Sequence, residues 1–201
     1  MVDFQAIIDK YYPPETPEVT PKVRHKTFGV QFTPGREVYM IHAQQVADKA
    51  IITALECRLN IDLEEVKAAA MLHDIGICFT NAPSIGCNGP EPYIKHGIIG
   101  AELLRKEGYP EIYARVAERH TGAGITIDDI DTQNLPLPRQ DYCPETILER
   151  LVCYADKFFS KSGTMQEKSI ENIRRSMERH SPATLERWLS LEKEFCVKQF
   201  L

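Results

Sequence analysis

The 201-residue sequence lacks several features that define large classes of protein. It has no apolar run approaching the ~18 residues that a membrane span requires, and its first residues do not follow the basic-then-apolar order of a secretory signal peptide. Basic residues are in deficit, with 24 lysines and arginines against 29 aspartates and glutamates. Proteins that wrap long nucleic acids show the opposite balance. We therefore expect a cytoplasmic protein with neither a membrane nor a long nucleic acid as partner.

Cysteine pairs of the C-x-x-C type are also absent, which argues against a zinc site built on thiolates. A chain of this length and of 43% hydrophobic composition can build one core without disulfides. We interpret the cysteines as reduced, mostly buried thiols, namely Cys57, Cys78, Cys87, Cys143, Cys153 and Cys196.

Proline and glycine spacing divides the chain into three regions. Residues 1–35 are predicted to form an arm, in which a short amphipathic helix precedes a proline-rich stretch that cannot be regularly helical. Residues 36–160 show helical periodicity and form the main domain. Residues 161–201 carry two amphipathic helices that we expect to pack on that domain.

The fold class is predicted to be all-α, because no long alternation of apolar and polar residues indicates a strand. Two glycine- and proline-rich loops interrupt the main domain, and the polar stretch Thr126–Asp131 in the second loop is expected to be irregular. Helices are predicted near residues 36–58, from Asp62 to about Gly76, 96–107, from Pro110 to about His120, from Pro144 to about Phe159, 164–179 and 182–199.

Several metal-binding residue types fall on the apolar stripes of these helices. On a helical wheel of 3.6 residues per turn, each of five helices has one such residue on the same side as its core-facing apolar residues. These are His42, His73, His96, His120 and Asp156. A single histidine in such a place is more often a hydrogen-bonded core residue than a ligand.

The carboxylates make a metal centre the simpler interpretation. Asp156 is predicted to be buried, and Asp74 adds a second carboxylate next to His73. Buried carboxylates cost several kcal/mol unless their charge is met, and the five stripes hold no basic residue at equivalent positions. Six donors suit two divalent ions that share a bridging carboxylate. Histidine and carboxylate donors without thiolate favour iron or manganese, with zinc or nickel as alternatives.

These residues carry a resemblance to the HD-domain superfamily, which covers roughly residues 36–160. The sequence His73-Asp74-Ile75-Gly76 matches its HDIG variant, and the stretch from Met71 to Phe158 resembles small HDIG-type proteins of archaea and bacteria. The further matching segments are Lys95–Gly97, Gly100–Glu102, Arg119–Ile125 and Cys153–Lys157.

The resemblance implies an HD-domain helical bundle and a binuclear site. One metal would take His42, His73, Asp74 and Asp156, and the other would take His96 and His120 with Asp74 bridging. The binuclear branch includes HD-GYP cyclic-dinucleotide phosphodiesterases and dinucleoside tetraphosphate hydrolases. Many binuclear members have a lysine directly after HDIG that reaches the substrate phosphate, whereas this sequence has Ile77.

The leading functional expectation is a phosphoric ester hydrolase that acts on a nucleotide or another small phosphoester. His73 and Asp74 are the expected catalytic centre, and Lys157 is the first choice for a cation that acts in catalysis and binds the substrate. Further candidates for substrate binding are Lys95, Arg119 and Arg139.

Two alternatives remain open at this point. One is a di-iron oxygenase of the same superfamily, which the missing lysine after HDIG slightly favours. The other is a metal-bound nucleotide sensor without turnover, in which the arm and the terminal helices could serve partners or a homodimer.

Overall fold

The computed structural model describes residues 3–14 and 34–196. Over these ranges the chain forms nine α-helices and one two-stranded antiparallel sheet, which confirms the all-α prediction. The α-helices are α1 (Phe4–Tyr11), α2 (Pro34–Glu56), α3 (Leu63–Leu72), α4 (His96–Lys106), α5 (Glu111–Arg119), α6 (Ile127–Gln133), α7 (Ile147–Asp156), α8 (Ile170–His180) and α9 (Pro182–Phe195). The strands are β1 (Asn81–Ala82) and β2 (Cys87–Asn88), and 3₁₀ helices cover Ile75–Phe79, Pro83–Ile85 and Tyr93–Lys95.

The core is a bundle of five helices. α2 packs along α3 and α7, while α5 contacts α3, α4 and α7. Small side chains such as Ala47 and Ala50 of α2 and Ala69 and Ala70 of α3 are fully buried. Alanine lets neighbouring helix backbones approach closely. Within the described ranges, no helix has the length and apolar character needed to cross a bilayer.

α3 ends at Leu72, so the predicted end near Gly76 is wrong. Asp74 has φ −105° and ψ 11°, and its carbonyl accepts a hydrogen bond from the N–H of Ile77, which tightens the chain into a 3₁₀ helix. Gly76 is needed for another reason. A Cβ atom there would lie 2.3 Å from the carbonyl oxygen of His96, so only glycine permits this approach of the two backbones.

Capping residues explain two further differences from the predicted boundaries. Thr126 and Asp129 form a capping box, so the polar stretch that was expected to be irregular begins α6. Thr146 forms a capping box with Glu149, and α7 therefore begins three residues after Pro144.

The first and the last described helices both contact the bundle. In the C-terminal region, Trp188 of α9 is fully buried and stacks on Tyr154 of α7 at 5.3 Å between ring centroids. At the other end, α1 packs against α3 and the following 3₁₀ helix. Most of the arm predicted over residues 1–35 lies outside the described residues.

Candidate metal centre

The structure brings all six predicted donors into the interior of the bundle. His42 lies within α2, and the adjacent pair His73 and Asp74 follows α3. Asp156 is the last residue of α7, so its side chain points inward where that helix ends. The remaining two donors begin α4 and follow α5. Each of the six residues is 6% exposed or less, namely His42, His73, Asp74, His96, His120 and Asp156.

Four of these residues form a first donor group around Oδ2 of Asp74. The Nε2 atom of His42 lies 3.2 Å from this oxygen and 2.9 Å from Oδ1 of Asp156. The Nε2 atom of His73 lies 3.0 Å from the same Asp74 oxygen. One ligand atom from each of the four residues lies within 4.8 Å of the others, a spread that one metal ion can span.

The second donor group shares Asp74 through its other oxygen. Oδ1 of Asp74 lies 3.4 Å from Nε2 of His96 and 3.3 Å from Nε2 of His120. The two imidazole Nε2 atoms are 3.0 Å apart. Because one oxygen of Asp74 faces each group, the carboxylate has the geometry of a bridge between two ions.

The backbone fixes the tautomers of three histidines. In each, Nδ1 lies 2.6–2.8 Å from the carbonyl oxygen three residues earlier. A carbonyl can only accept, so Nδ1 carries a hydrogen in each ring, and Nε2 is the nitrogen that faces the centre and can bind a metal when it holds no proton. The three pairs are His73 with Ala70, His96 with Tyr93, and His120 with Ala117.

The donor atoms fit metal ions better than they fit one another. Both carboxylate oxygens of Asp74 and Nε2 of His73 are buried, and no hydrogen bond of good geometry within the described ranges satisfies them. The nearest cation is Lys161, whose Nζ lies 2.7 Å from Oδ2 of Asp74. The lone pairs of His96 and His120 also converge at 3.0 Å. Such groups are costly to bury, and divalent cations would satisfy them together.

Burial and nearby charges oppose each other in setting the pKa values of the centre. Burial acts to raise the pKa of Asp74, but His73 and Lys161 outweigh it and hold that pKa well below its usual range. Burial likewise opposes a charge on His73, yet Asp74 and Asp156 raise its pKa to about 9. Burial lowers the pKa of His96 to about 3, since the attraction of Asp74 does not compensate.

Two lysines lie at the rim of this centre. Nζ of Lys157 is 2.6 Å from Oδ2 of Asp156 and 3.2 Å from the carbonyl oxygen of His120. Nζ of Lys161 is 2.7 Å from Oδ2 of Asp74. The five helical stripes hold no basic residue, but Lys157 and Lys161 reach the carboxylates from positions just after α7.

The other predicted substrate-binding cations lie elsewhere. Lys95 is ion-paired with Glu91 at 2.8 Å and lines a separate cavity. Arg119 donates to the carbonyl oxygen of Cys143, and Arg139 is 68% exposed and paired with Asp131 at 2.9 Å. The structure does not bring these three side chains to the cavity beside Asp156.

That cavity has a volume of about 550 Å³ and opens from the rim of the centre. Asp156, Lys157 and Lys161 are among the residues that line it. Other parts of its wall come from Pro83–Ile85 and from α8. A substrate of small-molecule size can therefore reach the donor groups.

The fold and the site together define an all-α protein with two groups of buried histidines and aspartates that could each hold a metal ion. Residues 39–160 match the HD domain family, and the chain belongs to that family. This confirms the resemblance seen in the sequence.

The chain is also similar to individual proteins. It is 37% identical over 141 residues to the tRNA (cytidine(56)-2'-O)-methyltransferase of Picrophilus torridus, and 38% identical over 118 residues to an uncharacterised protein of Methanocaldococcus jannaschii. These alignments cover 65% and 57% of this chain, but only 38% and 62% of the two relatives.

Among solved structures, the fold is similar to the HD domain of the L. monocytogenes phosphodiesterase PgpH. The TM-score is 0.51 at 18% sequence identity, and the match covers 81% of this chain and 85% of that domain. This likeness supports the HD-domain fold.

Proposed function

We propose that this protein is a metal-dependent phosphohydrolase that acts on a nucleotide or another small phosphoester. The observation that carries the proposal is the position of Asp74. Its two oxygens face two separate donor groups, and a cavity lined by lysines opens beside them. Centres of this kind suit displacement at phosphorus, because two ions can stabilise both the attacking and the leaving oxygen.

In this proposal, the members of the two donor groups are the metal ligands. His42, His73, Asp74 and Asp156 would hold one ion. His96 and His120 would hold the other and share Asp74. Iron or manganese suits this donor set, with zinc or nickel as alternatives. When bound, the ions would supply a water of lowered pKa and a Lewis acid for the phosphoryl oxygen.

Lys161 takes the role that the family assigns to the lysine after HDIG. In this chain the residue after HDIG is Ile77, an apolar side chain that is 3% exposed. Lys161 instead brings an ammonium group to the centre from the segment that follows α7. We propose that Lys161 and Lys157 hold the substrate phosphate and offset the charge that develops on its oxygens.

The burial of the site strengthens these contacts. The six donors are almost fully shielded from solvent, so charges act there in a medium of low effective dielectric. The oxygens of a phosphoryl group that enters from the cavity would exchange their contacts with water for contacts with fixed cations. Lys161 also removes the one sequence argument that favoured oxygenase chemistry, the lack of a phosphate-binding lysine.

A direct assay tests the proposal. The full chain is loaded with manganese, or with iron under anoxia, and incubated with nucleoside monophosphates, diphosphates, triphosphates and cyclic phosphates. The hydrolysis products are separated and quantified by chromatography, because a cyclic phosphate opens to a monoester without releasing phosphate. We expect turnover that requires the metal and proceeds equally well without oxygen. Saturable nucleotide binding with no product under any metal would instead support the sensor, and oxygen uptake with substrate would support the oxygenase.

A further inference from the structure

The cavity beside Asp156 holds a third lysine. Lys168 lies between α7 and α8, is half-buried, and lines the same cavity as Lys157 and Lys161. Those two lysines are ion-paired with Asp156 and Asp74. For Lys168, by contrast, no carboxylate of residues 3–14 or 34–196 lies within ion-pair distance.

The surroundings of Lys168 disfavour its charge in the absence of a ligand. Burial lowers its pKa, and the nearby Lys157 and Lys161 act in the same direction, while only Asp156 opposes them. Asp156 is also the single carboxylate among the described residues that line the cavity. Divalent ions at the donor groups would add further positive charge. The cavity therefore favours a ligand with more than one negative charge.

Lys168 belongs to neither donor group of the metal centre. It follows residues 39–160, the part of the chain that matches the HD domain family. One face of α8 forms the cavity wall next to it, through Ile173, Ser176 and Met177. The cavity, at about 550 Å³, is within the size range of pockets that bind whole small molecules rather than a single ion.

We infer that Lys168 marks a second anion subsite, so that the substrate carries another phosphoryl group adjacent to the one at the metal centre. The chemical class is a diphosphate or polyphosphate ester, such as a nucleoside diphosphate, rather than a simple monoester. This inference rests on the proposed function, since the metal centre fixes where the first phosphoryl group lies.

Anion binding to the manganese-loaded full chain tests the subsite. The probes are inorganic phosphate and methylenediphosphonate, a diphosphate analogue that is not hydrolysed, and free manganese is kept in excess of either probe. Binding is measured by calorimetry for the wild type, Lys168→Met and Lys168→Arg. Lys193→Met, which removes an exposed charge on α9, is the matched control.

We expect the wild type to bind the diphosphonate more tightly than phosphate. Lys168→Met should weaken diphosphonate binding about tenfold, the cost of one charge-assisted hydrogen bond, and change phosphate binding by less than about twofold. Lys168→Arg should retain most of the preference, and Lys193→Met should retain all of it. A wild type without preference, or a Lys168→Met variant that keeps it, overturns the inference.

The same proteins separate this inference from the proposed function. If phosphoesters are hydrolysed but Lys168→Met binds both anions as the wild type does, the subsite is wrong and the hydrolase stands. If diphosphonate binding depends on Lys168 but no phosphoester is hydrolysed, the subsite stands and the hydrolase is wrong.

Discussion

The ammonium group of Lys161 lies 2.7 Å from Oδ2 of Asp74, although one residue follows α7 and the other follows α3. The contact places a cation against the carboxylate that faces both donor groups. It also joins the C-terminal region of the chain to the middle of the metal centre. In the proposed function, a substrate phosphate that binds to ions held by Asp74 would also contact this ammonium group.

Replacement of Lys161 by methionine is expected to lower kcat/KM about 100-fold while the metal content stays unchanged. The reason is that a fixed cation lowers the free energy of the transition state, in which charge develops on the phosphoryl oxygens, relative to that of the free enzyme and substrate. Turnover and metal content are measured on the same samples, with Lys193→Met as the surface control. Full activity in Lys161→Met would show that the lysine only balances the charge of Asp74.

Asp74→Asn is expected to lose most bound metal and at least about 100-fold in turnover. The amide keeps the shape of the side chain but removes the negative charge that both donor groups share. Metal content is measured by atomic emission. Asp128→Asn, which changes an exposed carboxylate at the start of α6, should behave as the wild type. An active Asp74→Asn variant that retains two ions would contradict the bridging role.

His120→Ala is expected to reduce the metal content from two ions to one. His120 belongs to the second donor group only, so the first group keeps its four donors. His42→Ala should have the converse effect and leave the second group intact. Comparison of the metal stoichiometry of the two variants tests the division into groups. Equal loss of all metal in both would indicate one cooperative site.

Metal uptake is expected to release a proton near pH 7.5. The pKa of His73 is raised to about 9 in the metal-free protein, so this residue is protonated at that pH. Its Nε2 must lose the proton to bind a metal, whereas His96, with a pKa lowered to about 3, already presents a lone pair. Metal affinity should therefore rise with pH up to about 9. Calorimetry in buffers of different ionisation enthalpy measures the proton, and uptake without proton release would contradict the assignment.

Gly76→Ala is expected to destabilise the fold by about 1–3 kcal/mol, the usual cost of overpacking. The new Cβ would lie 2.3 Å from the carbonyl oxygen of His96 and 2.4 Å from the amide nitrogen of Gly100. Gly100→Ala is the milder comparison, because its nearest contact would be 3.2 Å. Denaturant unfolding of the metal-free proteins measures the difference. Equal stability of the two variants would show that the backbones can separate.

The sequence predicted the helical bundle and the gathering of the donors because these features follow helical periodicity. His42 and His120 each lie on an apolar stripe, and a stripe that faces the core carries its histidine inward. The end of α3 was missed because the apolar periodicity continues to Gly76, whereas the chain tightens after Leu72 into a 3₁₀ helix that starts at Ile75 and packs against α4. Gly76 was interpreted as the end of a helix, whereas its role in the structure is the close approach of its backbone to His96.

Lys161 was missed for a related reason. It lies beyond the end of α7, in a segment without regular structure, so no helical wheel assigns it a direction. Arg139 was considered because its charge suits a phosphate, but its neighbour Asp131 pairs with it at the surface. Charge type alone does not tell a solvated cation from one that a fold directs to a site.

All six donors lie before residue 160, while α8, which forms one wall of the cavity, lies after it. The candidate metal ligands and this wall of the cavity therefore come from different stretches of the chain. Homologous chains that keep the donors and diverge in the last forty or so positions are expected to share chemistry while differing in the compound they accept.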